Sequence, residues 1–400
     1  MKKQDLKLIS LVIAGNIMDY YDFLLFAHLG VVVTTCFVPD LSATDAHLLS
    51  FALFSLPFIV RPIGGYIFGK ISDTQSRQLA LSKTIGLASM TSFGIAMLPS
   101  YETGGIICTW IFVLLRAMQG ISLGGEYTTA GTVLTERYPD RQGLMSGILS
   151  GSGTVGSLIA FCYALAYLQD YINSWRPAFL IGAVFTYINY LLRQNTKNYV
   201  IGGSIKQKFL FDISRSKAIA VTVLAGILVS LMNWLPMNYA NFYLTKVLHY
   251  ETSVGLSATL ISIIGYIVLT PCVGYLADRY SPKKIMLVGS IIVIPAGFLC
   301  LYLIQHGNLM GQVVMIIASS IFSAPVHALM NSLFPIKLRS RFINVSFATG
   351  LSFGSMVPLI SGYCVDSYGM HYVPVVILTV VSLATFCVFY HTFSWDKLES

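Results

Sequence analysis

Arg116 and Glu126 stand inside an apolar run, Ile111–Tyr138, and Asp19 and Asp22 stand inside another near the N-terminus. At the centre of a bilayer helix a charge costs roughly 2.5–3.5 kcal/mol, so such residues face a bundle interior or a wet cavity and need partners there. Asp22 is the expected partner of Arg116. Counted at about 1.5 Å per residue from opposite membrane faces, both fall in the middle of the bilayer. A guanidinium near a carboxylate favours the ionised acid, so a pair that approaches and separates in a low-dielectric interior is a proton switch. The alternative is a permanent ion pair that locks two helices together. Asp19, one turn from Asp22 on roughly the same face, either shares the proton or is a packing polar group.

Other residues add to this constellation. Glu126 lies about 15 Å beyond Arg116 along the helix and reads as a proton relay or an inner-gate salt link. Arg61, just before Pro62, either attracts an anionic substrate group or holds a carbonyl of a kinked helix. The second half of the chain has no acid at mid-membrane, so polar and aromatic groups must line that side. Trp234, Asn238, Asn241 and Tyr243 flank Pro236, and His327 and Asn331 flank Pro325. Proline breaks free backbone carbonyls and permit gating, and aromatic faces hold quaternary ammonium groups by cation–π contact. His327 is either a titrating group or a hydrogen-bonded packing residue. Tyr21 and Tyr127, next to Asp22 and Glu126, complete the substrate-lining candidates. Asp73, Arg77, Glu136 and Arg141 read as a charge latch. Asp278, Arg279 and Arg339 form its counterpart, with Ile336 where a matching acid would be expected.

The elements that must position these residues are transmembrane helices. The chain has 400 residues, 55% hydrophobic and only 10% charged, and its mean hydropathy is +0.72. Apolar runs of about 20 residues recur throughout. Twelve spans are expected: 7–38, 46–71, 79–98, 105–135, 143–168, 175–193, 217–246, 252–277, 284–305, 309–334, 342–365 and 372–391. The polar stretch Gln194–Ser216 separates two six-helix bundles, 1–193 and 217–400. The net charge of +8 does not point to nucleic acid, because Lys and Arg fall in alternate loops, the pattern that orients helices with basic loops in the cytoplasm. Both termini are expected inside, and no leader is expected to be cleaved. The seven cysteines show neither disulfide nor metal spacing. No Walker sequence and no nucleophile–base constellation is present, so no cofactor and no enzyme activity are expected. Gly120/Gly124, Gly147/Gly151 and Gly350/Gly354 permit close helix contact.

The halves repeat. GKISDTQSRQ (Gly69–Gln78) is matched by GYLADRYSPKK (Gly274–Lys284), and ERYPDRQG (Glu136–Gly143) by FPIKLRSR (Phe334–Arg341), each about half the chain apart. Repeated halves with a site at their interface are the plan of many secondary transporters.

Tyr20-Tyr21-Asp22-Phe23, Arg61-Pro62-Ile63-Gly64-Gly65, Leu115-Arg116 with Gln119-Gly120, Gly124-Gly125-Glu126 and Leu333-Phe334-Pro335 with Lys337 and Arg339 together resemble the major facilitator superfamily, in its metabolite:proton symporter branch. That branch includes proline/betaine and dicarboxylate transporters. The chain departs from its patterns at Thr74, Ser76 and Gln78 in the loop motif, at Asp19 where Glu is common, at Tyr127 for Trp, and at Phe347-Ala348 for Tyr-Asn. The resemblance implies an all-α polytopic fold of twelve helices in two pseudo-symmetric bundles, and the same Asp22/Arg116 pair. It implies a monomeric, proton-driven importer of a small polar metabolite in a bacterial inner membrane, with proline or glycine betaine as the leading substrate. A 2-oxoglutarate-like dicarboxylate is the alternative, and a transport-inactive sensor on the same scaffold is the alternative of another class.

Overall fold

The computed structural model describes residues 3–168, 174–194 and 214–393. Among them the chain is helical, with no strand. The first half supplies α1 (Lys3–Phe37), α2 (Ala43–Thr74), α3 (Arg77–Met97), α4 (Tyr101–Arg137), α5 (Gln142–Leu168) and α6 (Arg176–Gln194). α7 (Arg215–Trp234) continues through wider turns to Val247. It is followed by α8 (Thr252–Tyr280), α9 (Pro282–Gln305), α10 (Met310–Ser323 and Val326–Leu333), α11 (Arg339–Gly354 and Val357–Tyr368) and α12 (Val373–Thr392). Ten helical spans among the described residues are long and apolar enough to cross a membrane. α6 is short and polar at both ends, and α11 is interrupted, so these two fall outside that set. Most of the central stretch 194–216, with Lys197, Lys206 and Lys208, lies outside the described residues, as do Lys397 and the side chain of Asn238.

Local sequence explains where helices start, bend and stop. Ser42 caps α2 by accepting from the Asp45 amide at 3.1 Å, and Ser76 caps α3 by accepting from that of Leu79 at 3.0 Å. α4 bends at Gly105, whose φ of 62° suits a residue without Cβ. α10 breaks before Val326 because Pro325 lacks a donor, and α11 breaks at Ser355–Met356, just ahead of Pro358. Neither interruption is visible as a gap in hydropathy, which is why one continuous span was expected in each place. α7 widens to π turns over Leu235–Tyr239 and Tyr243–Val247, beginning at Pro236.

The outer surface is apolar. Met90 on α3, Ile107 and Trp110 on α4 and Tyr363 on α11 are 64–70% exposed, a surface that lipid tolerates and water does not. Lipid is as apolar as leucine, so close backbone packing must hold the helices together. Gly120 and Gly124 supply it between α4 and α2: a Cβ at either would lie 2.3 Å from the Pro57 carbonyl oxygen or 2.1 Å from that of Arg61.

Contacts divide the chain into two compact units. One falls within Met1–Val133, Ser152–Gly203 and Ile336–Val345, the other within Leu134–Gly151, Ser204–Pro335 and Ser346–Ser400. Each unit is therefore mostly one half of the sequence with a short piece of the other. The first turns of α11 join the first unit, and the end of α4 with the first turns of α5 joins the second.

Candidate functional site

The first unit holds a buried polar network between α1, α2, α3, α4 and α6. Arg116 is fully buried. It donates to Gln119 Oε1 at 2.7 Å and to the Leu53 carbonyl at 3.5 Å, and its guanidinium lies 4.0 Å from the centre of the Phe26 ring. Asp22 accepts from Ser92 Oγ at 2.5 Å, and Ser92 Oγ in turn accepts from Gln119 Nε2 at 3.2 Å. Asp22 and Arg116 are thus joined through Ser92 and Gln119. The direct pair expected from the sequence does not form, because Gln119, one turn along α4, occupies the guanidinium first.

Gly182 on α6 makes room for the acid. A Cβ there would lie 1.8 Å from Asp22 Oδ1. Gly182→Ala should therefore push the carboxylate off Ser92 and destabilise the protein by about 1–3 kcal/mol. Thermal melting checks this, and an unchanged melting temperature would show that the Asp22–Ser92 contact is dispensable to the fold.

Asp19 is 3% exposed, and neither of its carboxylate oxygens has a hydrogen-bond partner. With Asp22, Ser92 and Gln119 it lines a small cavity walled by Phe23, Ala88 and Leu123, with room for about one water. Arg61, also buried, lies 5.0 Å from the Phe58 ring centre and 5.8 Å from that of Phe23. Phe23 stands between the two arginines, 5.9 Å from Arg116. Tyr20 packs edge-on against Tyr127 at 5.6 Å. Tyr21 donates to the Ala178 carbonyl at 3.0 Å.

Glu126 is brought into the same unit's core and not to the loop arginines. It pairs with Arg193 of α6 at 2.8 Å and accepts from Thr84 at 2.5 Å. Arg193 also donates to the Leu81 and Leu11 carbonyls.

At the loop ends the acids grip helix starts. Asp73 accepts from Arg77 at 2.5 Å and from the backbone amides of Ser340 and Arg341 at 3.0 and 2.9 Å. Arg77 also donates to Ser340 Oγ at 2.7 Å and to the Ile336 carbonyl at 3.2 Å. In the second unit, Asp278 accepts from the amides of Gly143 and Leu144 at 2.6 and 2.9 Å. Each acid therefore satisfies orphan N–H groups at a helix N-terminus, where the helix dipole favours negative charge. Arg339 is buried and Glu136 half-buried, whereas Arg141 and Arg279 are exposed. Arg279 donates to Tyr275, one turn back, at 2.8 Å.

The second unit's candidates fall into two groups. Trp234 and Asn241 are half-buried and Tyr243 is buried. Tyr239 lies 5.4 Å from Trp234 and 5.9 Å from Tyr243, whose hydroxyl accepts from Gln305 at 3.0 Å. The carbonyls of the wide turn, Pro236 and Met237, receive Ser262 at 3.1 Å and Thr259 at 3.3 Å. His327 and Asn331 are buried beside the α10 break. Ser146 of α5 bridges that break, donating to the Ala324 carbonyl at 2.5 Å and accepting from the His327 amide at 3.0 Å. Asn331 donates to Thr135 at 2.8 Å.

The sequence pattern of the Major Facilitator Superfamily matches residues 42–263 and 222–397. The chain belongs to the Major Facilitator Superfamily. It is a multi-pass membrane protein of a transporter family, as its motifs led one to expect. It is 26% identical over 408 residues to the glycine betaine/proline/ectoine/pipecolic acid transporter OusA of Dickeya dadantii (strain 3937), covering 94% of this chain and 81% of that protein. It is 25% identical over 413 residues, with the same coverage, to the proline/betaine transporter of Escherichia coli (strain K12). Among solved structures it is similar to the proton:xylose symporter XylE, at a TM-score of 0.76 and 15% identity, covering 96% of this chain and 95% of that one. It is also similar to the human organic anion transporter MFSD10, at 0.75 and 11%, covering 97% and 100%. These structures share the superfamily fold.

Ser92, Gln119, Thr84, Arg193 and Gly182 are the site residues that sequence reasoning did not single out. Gln119 carried a signal, standing one turn from a buried arginine. Nothing in composition marks Arg193, at the end of its helix, or Gly182.

Proposed function

We propose that this superfamily member is a proton-coupled symporter, not an enzyme, that imports a small polar metabolite by alternating access across a bacterial inner membrane. Both termini are cytoplasmic, the chain acts as a monomer, and the proton gradient is its driving force without a cofactor. The single observation that supports this reading most is the buried chain Asp22–Ser92–Gln119–Arg116 beside a cavity for one water. A proton arriving on Asp22 removes the charge that holds the Ser92 hydroxyl. Gln119 then has a new hydrogen-bond partner to choose, and Arg116 loses the field that faces it. Protonation is thereby converted into a rearrangement of α1, α3 and α4.

For the substrate we propose an osmolyte such as proline or glycine betaine. The names of the Dickeya and Escherichia relatives support it, and so does the aromatic set Trp234, Tyr239 and Tyr243, which suits a quaternary ammonium. A dicarboxylate would need a free cation. Arg61 already lies against two phenyl faces.

Uptake by the purified chain in proteoliposomes under an imposed pH gradient tests the proposal, with labelled proline, glycine betaine and 2-oxoglutarate. Accumulation of the first two that collapses with a protonophore is expected. Gradient-driven uptake of 2-oxoglutarate alone would overturn the substrate assignment. Binding of a panel member without any transport would replace the symporter with a sensor.

A further inference from the structure

The cavity of the first unit has the chemistry of an ion site. Asp19 Oδ1 and Oδ2 and Asp22 Oδ1 are buried without a hydrogen-bond partner. The Ser92 hydroxyl and the Gln119 side chain line the same space. A buried carboxylate with no donor is costly unless something neutralises it, and no side chain donates to Asp19. The charged groups around Asp19 are Asp22, Arg61 and the ion pair of Glu126 with Arg193. Arg61 faces Tyr20 and two rings, and Arg116 is spent on Gln119 and a carbonyl.

We propose that this cavity binds one sodium ion, held by the carboxylates of Asp19 and Asp22 with the Ser92 hydroxyl. All the ligating atoms are hard oxygens, the set that suits alkali and alkaline-earth cations and not transition metals. With Arg61 and Arg116 already beside the two acids, a single positive charge costs less in a low-dielectric interior than the two of a divalent ion. A potassium ion needs more oxygens than these side chains supply. The space matches one water, the room a single stripped ion takes. Sodium thus adds an ion to the site read above as a proton switch. The two cations compete for the same carboxylates.

Binding of ²²Na⁺ to the purified full-length chain in nanodiscs, measured without substrate, tests this. Saturable binding is expected, displaced by excess Na⁺ or Li⁺ and by acid but not by K⁺ or choline. Asp19→Asn should weaken it at least tenfold and Ser92→Ala severalfold, in variants shown by gel filtration and melting to be folded. Absence of saturable binding, or wild-type binding by both variants, overturns the inference. A chain that takes up substrate under a pH gradient but binds no ²²Na⁺ overturns the sodium site and leaves the proposed function standing. One that binds ²²Na⁺ without any pH-driven uptake supports the site and overturns proton coupling.

Discussion

Asp22→Asn is expected to abolish accumulation driven by a proton gradient while leaving substrate exchange measurable. One proton crossing 100 mV supplies roughly 2.3 kcal/mol, enough for about 50-fold accumulation of a neutral solute. The variant should fall to a ratio near one. Asparagine keeps an oxygen that accepts from Ser92, so the 2.5 Å contact and the packing on Gly182 survive and only the exchangeable proton is removed. Counterflow of labelled substrate against preloaded unlabelled substrate separates the two effects. If the variant still accumulates substrate under a pH gradient, Asp22 is not the coupling acid. If counterflow disappears as well, Asp22 positions substrate or structure and the proton argument loses its support.

The second large effect is expected at Glu126 and Arg193. Their side chains are 1% and 4% exposed and 2.8 Å apart. Removing one partner of a buried pair leaves the other charge uncompensated, at a cost of about 3–5 kcal/mol. Arg193→Ala should therefore lower the melting temperature sharply, and Glu126→Gln should do so too. The double change Glu126→Gln with Arg193→Met should recover much of the loss, since an apolar replacement of a whole buried pair is often neutral or better. Gly15 bears on the same point: a Cβ there would lie 2.1 Å from Arg193 Nη2, so α1 leaves the guanidinium its place. Single variants within about 1 kcal/mol of the parent in a denaturant titration would show that water reaches the pair.

The pattern of charge and apolar length was enough to read the architecture. Apolar length located the helices, and the motifs pointed to the superfamily. What hydropathy misses is backbone detail. Pro325 and Pro358 interrupt α10 and α11 inside runs that stay apolar throughout. The site was legible to the extent that charge in an apolar run is conspicuous, which singled out Asp19, Asp22, Arg61, Arg116 and Glu126. Their partners were not. Ser92 and Thr84 are ordinary small polar residues of a membrane helix, and Arg193 stands at a helix end, where charge is commonplace. The link between Asp22 and Arg116 depends on rotamers and helix rotation that spacing does not encode. The acid–arginine pairing at Glu126 joins residues 67 positions apart, and no short motif spans that distance.

The two loop acids have a consequence for how freely their surroundings can drift. Asp73 and Asp278 take backbone amides, those of Ser340 and Arg341 and of Gly143 and Leu144. Every amino acid except proline offers that donor. The acid is therefore tied to its own identity, while at Arg341, Gly143 and Leu144 the grip asks nothing of the side chain; Ser340 differs, because its hydroxyl also receives Arg77 and Ser72. Thr74, Ser76 and Gln78 supply none of the gripped amides, so their change leaves the grip of Asp73 intact.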